Sequence, residues 1–591
     1  MFTINTKDKI KLHKENVLGN VTMEEQKQEG KSIFKIFLEK GYLLDKEMLS
    51  IFSHFDENFS KEIVMAFKEN KIQERVITKA GFLKNIEKLN QIIEEEKYKA
   101  IKEEFYLKLG FKKEENKEQE NSKQAISEKI TNGKEDVRVL YAPLLIPKKV
   151  SIEDFVNHFR ARYNQIKGML MERDLENLSS LRKIGNNRDS YSVIVCVISK
   201  RITSNKNIIL DVEDLSGRGK ILINKNKTEV YTKAKDLLLD DIIAFKVSGN
   251  SEILFANEIY FPDSVLQEKK YGKKEEWVVF SSDFHVGSKM FLKKNLMKFI
   301  NWLNGDEGGE KQREIARKVR YLFLTGDNVD GVGVYPDQEA NLSIKDIREQ
   351  YKELAEILKM IRKDVTIIMC PGQHDGVRVA EPQPAIGDNV APELLKMKNL
   401  ILVTNPALIE VSGFKVLIYH GASMHGVVNE IEELRTIYKH HNPTRIVKEL
   451  LKRRHLATTH GSVIYIPSEK EDPLVIREIP DIVATGDLHR PEISSYNNIL
   501  LVASSCWQSI TPFEEKVGNE PDPCKVPLFN MKTREVKILD FSQIEEDEKQ
   551  EIKGETCENG KQTELCKLEA NIEVNNSGKN IKLMGANQGG N

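Results

Sequence analysis

Side chains of metal-binding types recur in five short motifs between residues 283 and 489. The motifs are Asp283-Phe-His285, Gly-Asp327-Asn-Val-Asp330, Gly-Gln373-His374-Asp375, Tyr-His420-Gly and Gly-Asp487-Leu-His489-Arg490. Imidazole nitrogen together with carboxylate oxygen suits Mn²⁺, Fe²⁺ or Zn²⁺. No cysteine occurs within the motifs, which argues against a structural zinc site. The residue types therefore predict a catalytic metal centre.

The spacing of these motifs indicates how they meet. Each motif follows an apolar run typical of a strand, and the first four are separated by 44 to 47 residues, which fits one strand–helix unit per motif. At a strand end, Asp-x-His sends both side chains to the same face, and the glycine before Asp327, Gln373 and Asp487 lets the backbone turn sharply. Two metals held ~3.5–4 Å apart can share a bridging hydroxide and clamp a phosphate for in-line attack.

No single motif is specific. A lone Asp-x-His or His-Gly is more often a capped strand end or a hydrogen-bonded histidine than a metal ligand. Five motifs in this order, each directly after a predicted strand, argue against coincidence. The metal centre is therefore predicted from the set as a whole.

Repeated strand, loop and helix patterns predict the elements that position the motifs. From residue 271 to 541 this repeat indicates an α/β domain with its site along one sheet edge. Residues 151–270 open with a helix capping box at Ser151 and Asp154 and continue with five short β-rich runs. We expect these runs to close into an OB-fold β-barrel, with a fragment of a β-sandwich as the alternative.

The two ends of the chain have different compositions. Residues 1–110 carry apolar residues at three- and four-residue spacing and predict a small N-terminal helical domain. Residues 111–150 are mostly Lys, Glu, Asn, Gln and Ser and predict a flexible linker, although the apolar stretch VLYAPLLIP near its end is expected to dock on another element. Residues 542–591 contain no aromatic residue and predict a disordered tail.

Composition excludes several classes of protein. The 591 residues predict about four domains, and no run of ~18 apolar residues or secretory signal occurs, so we expect a cytoplasmic chain without a membrane span. Six scattered cysteines form no disulfide framework. Ninety basic residues stand against 91 acidic ones, so the net charge of −1 gives no global attraction for nucleic acid. A polyanion would have to be held by a local groove, a metal centre or a partner.

The order of the five motifs resembles that of the calcineurin-like metallophosphoesterases, whose usual form is D-x-H, G-D-x-x-D/N, G-N-H-D/E, H and G-H-x-H. The segments TGDNVDGVGVYPDQE, PGQHDGVRVAEPQPAI and TGDLHRPEI, with a predicted barrel upstream, are similar to the small subunits of archaeal family D DNA polymerases. The resemblance covers residues ~150 to 541. It implies a multidomain α/β protein: a calcineurin-like two-sheet metallophosphoesterase domain preceded by an OB-fold and a small N-terminal helical domain.

This resemblance also implies a function. Small subunits of that family are Mn²⁺-dependent 3′→5′ exonucleases that proofread, and they form a heterodimer with the large catalytic polymerase subunit. We therefore expect DNA 3′ ends as substrate, two divalent cations (Mn²⁺ before Mg²⁺, Fe²⁺ or Zn²⁺) as cofactors and a nucleoid-associated location in an archaeal cytoplasm. A sliding clamp would be a partner only through the complex, since the sequence contains no convincing clamp-binding peptide.

The resemblance assigns roles residue by residue. It implies a first cation held by Asp283, His285 and His489 with Asp327 bridging, and a second completed by Gln373, His420 and Asp487. His374, oriented by Asp375, would stabilise the leaving oxygen or donate a proton to it. Arg378 and Arg490 could pair with DNA phosphate or form surface ion pairs.

Two positions depart from the usual pattern. Gln373 stands where the superfamily has Asn, and Asp487 stands where it has His. Both side chains still offer oxygen ligands to Mn²⁺ or Mg²⁺. Because the positions of the first cation are intact, we expect a retuned site rather than an inactive one.

Several other residues have two interpretations. Asp330 is either a hydrogen-bond partner of a metal ligand or a residue that caps a turn. Trp507 is either a core residue or a platform on which a base stacks. The basic stretch 448–455 is either a solvated helix face or a contact to DNA. Four histidines are expected on the surface or in the core: His425, His440, His441 and His460. For the whole chain, the alternatives to a nuclease are a non-catalytic scaffold subunit and another metallophosphoesterase, such as a phosphatase.

Overall fold

A computed structural model of the chain describes residues 35–52, 57–69, 75–78, 82, 136–144, 149–517 and 519–543. The chain divides into two compact units, Met1–Asn132 and Gly133–Asn591. None of the helices in the described ranges combines the length and hydropathy needed to cross a bilayer. The tail predicted from residue 542 lies outside the described residues from 544 onward.

In the first unit, helices α1 (Lys46–Phe52) and α2 (Glu57–Glu69) accompany two short parallel strands, β1 (Leu43–Leu44) and β2 (Val76–Ile77). Its core includes five buried phenylalanine rings: Phe37, Phe52, Phe59, Phe67 and Phe82. The two strands were not predicted. The helical domain expected over 1–110 stays a prediction, because residues 83–110 lie outside the described part of the chain.

In the second unit, five strands close into a barrel in the order β4-β5-β6-β8-β7. They are β4 (Asp189–Ile202), β5 (Ile208–Glu213), β6 (Arg218–Ile223), β7 (Ile242–Gly249) and β8 (Leu254–Tyr260). Helix α3 (Ile152–Met171) precedes the barrel, and α4 (Thr228–Lys235) lies between β6 and β7. The five predicted strands and the capping box at Ser151 and Asp154 are confirmed. The OB-type assignment of the barrel stays a prediction.

Two six-stranded sheets form the rest of the second unit. The first has the order β12 (Leu400–Leu402), β11 (Thr366–Cys370), β10 (Val319–Thr325), β9 (Trp277–Ser281), β18 (Lys525–Asn530) and β19 (Val536–Asp540). The second has the order β16 (Glu492–Tyr496), β17 (Ile499–Ala503), β15 (Ile482–Thr485), β14 (Phe414–Ile418), β13 (Ala407–Val411) and β3 (Val137–Tyr141).

One apolar core lies between the two sheets. Phe280 and Phe323 of the first sheet pack in the same buried cluster as Ile418 and Ala484 of the second. Because side chains alternate along a strand, the neighbouring residues face outward and pack against helices. The core between the sheets covers one face of the parallel strands and the helices cover the other. This burial on both faces explains why the sequences of these strands are continuous apolar runs.

The helices lie in the connections between these strands. Those around the first sheet are α5 (Lys293–Asn304), α6 (Glu310–Arg317), α7 (Ile347–Lys359) and α8 (Pro392–Leu395). Those that follow β14 and β17 are α9 (Met424–Glu430), α10 (Pro443–Arg453) and α11 (Pro512–Val517).

Strand β3 shows that the predicted linker ends well before residue 150. It lies inside the stretch 111–150 predicted as a flexible linker, yet it pairs antiparallel with β13 at the edge of the second sheet. Val137 is buried in the core between the sheets. Val139, Leu140 and Tyr141, which begin the stretch VLYAPLLIP that was expected to dock, belong to this strand and pack against the cores of the second unit.

Buried charges join the barrel and α3 to the connection between β14 and β15. Arg453, at the end of α10, lies 3.1 Å from Asp241, which precedes β7 of the barrel. On α3, Arg162 donates to Asp472 at 2.5 Å, and His455 contacts the same carboxylate at 2.8 Å. The end of the basic stretch 448–455 is therefore packed inside the protein, and the DNA contact considered for it is wrong at residues 453–455.

Candidate metal centre

The five motifs follow the carboxyl ends of five parallel strands. Asp283, Asp327 and Gln373 come after β9, β10 and β11 of the first sheet. His420 and Asp487 come after β14 and β15 of the second. Because parallel strands end at a common sheet edge, these loops meet where the two sheets adjoin. The predicted site residues therefore lie along a sheet edge, and two sheets contribute them.

Left-handed backbone conformations aim the ligands. Five of them have positive φ angles: Asp283 (52°), His285 (49°), Asp327 (48°), Asp487 (68°) and His489 (54°). This region is sparsely populated by residues other than glycine and costs energy, so it clusters where the surrounding structure enforces it, often at functional sites. The predicted reason for the convergence of Asp-x-His, alternation along a strand, is therefore wrong. These pairs lie beyond the strand ends and turn inward through the left-handed loop.

The glycines of the motifs serve mainly close packing. Of the three glycines that precede Asp327, Gln373 and Asp487, only Gly326 has a positive φ, 100°. A Cβ on Gly372 would lie 2.2 Å from Asp327 Oδ1, and one on Gly486 would lie 2.0 Å from Ser282 Oγ. Any larger residue would push the loops apart, so these glycines let the loops approach each other rather than turn.

One group of ligands comprises Asp283, His285 and His489. His489 Nε2 lies 3.4 Å from Asp283 Oδ1, and His285 Nε2 lies 3.9 Å from the same oxygen. All three residues are buried, and their ligand atoms lie within 4.8 Å of one another. This is the set predicted for the first cation.

Each histidine of this group is held through its other nitrogen. His285 Nδ1 lies 3.1 Å from Asp330 Oδ1, and His489 Nδ1 lies 2.8 Å from Glu514 Oε1. Burial alone would raise the pKa of Glu514, but the hydrogen bond to His489 and its charge lower that pKa to about 2. Carboxylates at this position commonly orient metal-binding imidazoles. Asp330 is thus a partner of a predicted ligand, and Glu514 was missed because it lies on α11, far from any motif.

A second group lies beside the first. His420 Nε2 is 3.2 Å from Asp327 Oδ2 and 3.7 Å from Asp487 Oδ1, while Gln373 Nε2 donates to Asp487 Oδ1 at 3.1 Å. His420 Nδ1 contacts the Thr325 carbonyl at 2.7 Å, which leaves Nε2 facing the group. Asp283, Asp327 and His420 also place ligand atoms within 4.8 Å of one another, so the two groups adjoin.

The donor atoms of both groups fit divalent cations. Asp283 Oδ1, Gln373 Oε1 and His420 Nε2 are buried and make no well-aligned hydrogen bond. Buried polar atoms without partners are costly, and a cation in contact with them removes that cost. Oxygen and imidazole nitrogen are the donors that Mn²⁺, Fe²⁺ and Zn²⁺ accept. The residues present therefore fit a metal centre.

The environment of His374 corrects one prediction. Its backbone N–H donates to Asp327 Oδ1 at 2.8 Å, and its Nδ1 lies 2.7 Å from the carbonyl oxygen of Asp330. The predicted partner, Asp375, points elsewhere: its carboxylate accepts from Gly372 N at 2.9 Å, from Asn328 Nδ2 at 2.9 Å and from the Tyr351 hydroxyl at 2.9 Å. Asp375 therefore ties two motif loops together, and a backbone carbonyl orients His374.

The two arginines that were predicted to contact DNA donate hydrogen bonds to backbone carbonyls of the protein itself. Arg378 donates to the carbonyls of Ala380 and Pro382, and Arg490 donates to the carbonyl of Glu520 at 2.6 Å. Both side chains are half-buried. Trp507 is a core residue, since it is fully buried and donates to Ser281 Oγ at 2.8 Å. A role for Arg378 or Arg490 toward DNA stays a prediction.

One histidine beside the centre was missed. His425 Nε2 lies 3.3 Å from Asp487 Oδ2. Because no motif includes it, this residue was predicted, with three other histidines, to lie on the surface or in the core. The sequence feature that could have identified it is its position five residues after His420, in the segment that leads away from the site.

Comparison with known proteins assigns a family. A family model for the B subunits of DNA polymerases alpha and epsilon matches residues 278–494. The DNA polymerase II small subunit of Methanothermobacter thermautotrophicus is 36% identical over 393 residues, which cover 66% of this chain and 80% of that protein. This chain belongs to the DNA polymerase II small subunits. The predicted resemblance is confirmed.

The chain spans a smaller share of the length of some other DNA polymerase II small subunits. The one from Pyrococcus furiosus is 38% identical over 400 residues, which cover 67% of this chain and 64% of that protein.

Among solved structures, a novel archaeal phosphodiesterase is 15% identical with a TM-score of 0.23, covering 44% of this chain and 98% of its own. A zinc complex of Vps29 from Entamoeba histolytica is 14% identical with a TM-score of 0.21, covering 45% and 99%.

Proposed function

We propose that this chain is a two-cation phosphodiesterase that removes nucleotides from DNA 3′ ends as the small subunit of a DNA polymerase. The observation that supports the proposal best is the convergence of five separated loops on one buried set of histidines and carboxylates. Several of those ligand atoms are left without hydrogen-bond partners. Membership of the DNA polymerase II small subunits supplies the context of DNA synthesis.

The residues divide between two cation positions. Asp283, His285 and His489 would hold one cation, and His420, Gln373 and Asp487 the other, with Asp327 shared between them. We propose Mn²⁺ because the family resemblance implies it; the mixed imidazole and carboxylate donors suit Mn²⁺ but suit Fe²⁺ and Zn²⁺ as well. Bound divalent cations would activate water and offset the charge of the phosphate.

His374 is proposed as the proton donor. Its Nδ1–H donates to the Asp330 carbonyl, so its Nε2 is the atom that faces the ligand groups, 4.0 Å from Asp327 Oδ2. When water attacks phosphorus, the bond to the 3′ oxygen of the shortened strand breaks, and that oxygen needs a proton. A second proton on His374 Nε2 supplies it, which is general acid catalysis.

The rest of the chain is proposed to serve the complex. The two packed sheets would form a calcineurin-like domain, the five-stranded barrel would be of the OB type, and a large catalytic polymerase subunit would be the partner. We propose Arg378 and Arg490 as contacts to DNA phosphate. For such a contact each guanidinium would have to add phosphate to the carbonyls that it already binds.

A primer-shortening assay tests the proposal. The purified chain, alone and with its large subunit, is given Mn²⁺ and a DNA primer with a labelled, mismatched 3′ end. We expect stepwise shortening that Asp327→Asn abolishes and that His374→Ala slows by about 10²- to 10⁴-fold, while the exposed His441→Ala keeps the wild-type rate. The two variants must retain the wild-type melting temperature, so that the loss of activity can be attributed to the site and not to unfolding.

Other outcomes identify the alternatives. If neither the chain nor the complex shortens the primer, the chain is a scaffold subunit and the proposed activity is wrong. If the chain hydrolyses a phosphomonoester such as p-nitrophenyl phosphate but leaves DNA intact, it is a phosphatase. Both results leave its family membership unaffected.

A further inference from the structure

A pair of histidines extends the ligand set beyond the five motifs. His425 lies on helix α9, the first helix after His420, and half of its side chain is exposed. Its Nε2 lies 3.3 Å from Asp487 Oδ2. Its Nδ1 lies 3.2 Å from His440 Nε2, and the two rings are 4.8 Å apart. Asp487, His425 and His440 therefore form a continuous polar chain from the ligand group to the rim of the site.

The two oxygens of Asp487 have different surroundings. Oδ1 faces the ligand group, where it accepts from Gln373 Nε2 and lies 3.7 Å from His420 Nε2. Oδ2 faces His425. A carboxylate that is held through one oxygen presents the other in a fixed direction, as is common for metal ligands that are oriented by a neighbouring side chain.

The tautomers of the pair are consistent with this role. If His425 Nε2–H donates to Asp487, then the neutral ring has a bare Nδ1, which must accept a hydrogen bond. His440 Nε2–H lies at the right distance to donate it. His440 thereby fixes the tautomer in which His425 is a donor toward Asp487.

An anionic residue at position 487 makes such a donor necessary. Asp487 is the third carboxylate among the proposed ligands, after Asp283 and Asp327, and buried like charges repel unless donors or cations lie between them. Gly421 closes the space on the other side, since a Cβ there would lie 2.9 Å from Asp487 Cβ. The side chain therefore has His425 Nε2 on its outer side, 3.3 Å from Oδ2, and the ligand group on its inner side.

We propose that His425, braced by His440, is a positioning residue that holds Asp487 against the second cation. This inference rests on the proposed two-cation site. It adds a residue from α9 to the centre and explains how a carboxylate functions at a position where histidine is usual in the metallophosphoesterases. The loss of His425 should weaken the second cation and leave the first one in place.

Mn²⁺ binding tests this inference without an activity assay. Free Mn²⁺ is measured by electron paramagnetic resonance during titration of the full chain, which gives the number of sites and their affinities. We expect two sites in the wild type, and in His425→Ala one unchanged site and one weakened by about 10- to 100-fold. His425→Gln keeps an N–H donor and should recover part of the affinity, and His440→Ala should show a smaller loss.

Two controls separate positioning from general damage. His441→Ala removes a neighbouring exposed histidine and should bind Mn²⁺ like the wild type. The melting temperature of His425→Ala without metal should match the wild type, since the side chain is half exposed. Two intact sites in His425→Ala, or equal weakening of both sites, would overturn this inference alone. A wild-type chain that binds fewer than two Mn²⁺ would overturn the proposed function and this inference with it.

Discussion

His285 Nε2 and His489 Nε2 face each other at 3.3 Å, although 204 residues of chain separate the two rings. Each ring has a carboxylate at its Nδ1, Asp330 for His285 and Glu514 for His489. When both Nδ1–H groups donate to those carboxylates, two bare nitrogens point at one another, which is unfavourable in a buried site unless a cation lies between them. This relationship is typical of ligands around a metal ion.

Glu514 should therefore control the affinity of the first cation. We expect Glu514→Gln to weaken that site by about 10- to 100-fold, because a neutral amide oxygen can still accept from His489 Nδ1–H but raises the basicity of the ring less than a carboxylate does. Isothermal titration with Mn²⁺ measures the change. The adjacent and exposed Glu515→Gln is the matched control and should bind like the wild type. Equal affinities in the two variants would mean that Glu514 does not orient His489.

His374 should act on the chemical step rather than on metal binding. We expect His374→Ala to lower kcat for primer shortening by about 10²- to 10⁴-fold, the usual contribution of general acid catalysis. The Mn²⁺ affinities should stay at wild-type values, because His374 is not among the proposed ligands. A variant that loses Mn²⁺ in proportion to kcat would show instead that His374 helps to hold a cation.

Asp375 should be a structural residue. Its substitution leaves buried donors of Gly372, Asn328 and Tyr351 without an acceptor, so we expect Asp375→Ala to lower the free energy of unfolding by at least about 1–3 kcal/mol. Tyr351→Phe removes one of these bonds and should cost about 0.5–1.5 kcal/mol. Urea unfolding measures both, with the exposed Asp388→Ala as a control that should change stability by less than about 0.5 kcal/mol.

Asp472 should make stability depend on acid pH. Burial would raise the pKa of this carboxyl, but Arg162 and His455 lower it well below 3.8. A carboxyl that is more acidic when folded stabilises the protein above its unfolded pKa, and that contribution disappears as the pH falls through the lower, folded value. Asp472→Asn leaves Arg162 buried and unpaired, so we expect a loss of about 3–5 kcal/mol at neutral pH.

Unfolding in urea at about pH 7, 5 and 3 checks this expectation. The wild type should lose stability as the pH falls below about 4, while the stability of Asp472→Asn should change less over the same range. The exposed Glu433→Gln is the control and should follow the wild type. Parallel pH profiles for Asp472→Asn and the wild type would contradict the assignment of the acid sensitivity to this carboxyl.

The amino-acid sequence determined the apolar internal strands and the identity of the predicted ligands. Apolar runs such as WVVFS at β9 and IVAT at β15 must be covered on both faces, so they form internal parallel strands wherever they lie. The polar residues that follow them then gather at the sheet edge. This is local information, and it was enough to predict Asp283, His285, Asp327, His420 and His489 at one site.

Only the tertiary structure decided how those ligands are aimed and held. The left-handed conformations of Asp283 and Asp487 are unfavourable for the isolated chain and exist because packed neighbours enforce them. The partners Glu514 of His489 and His425 of Asp487 come from helices outside the motifs, and the carbonyl at His374 belongs to another loop. Contacts of this kind depend on how sheets and helices pack, and the spacing of residues along one chain does not encode them in a readable pattern.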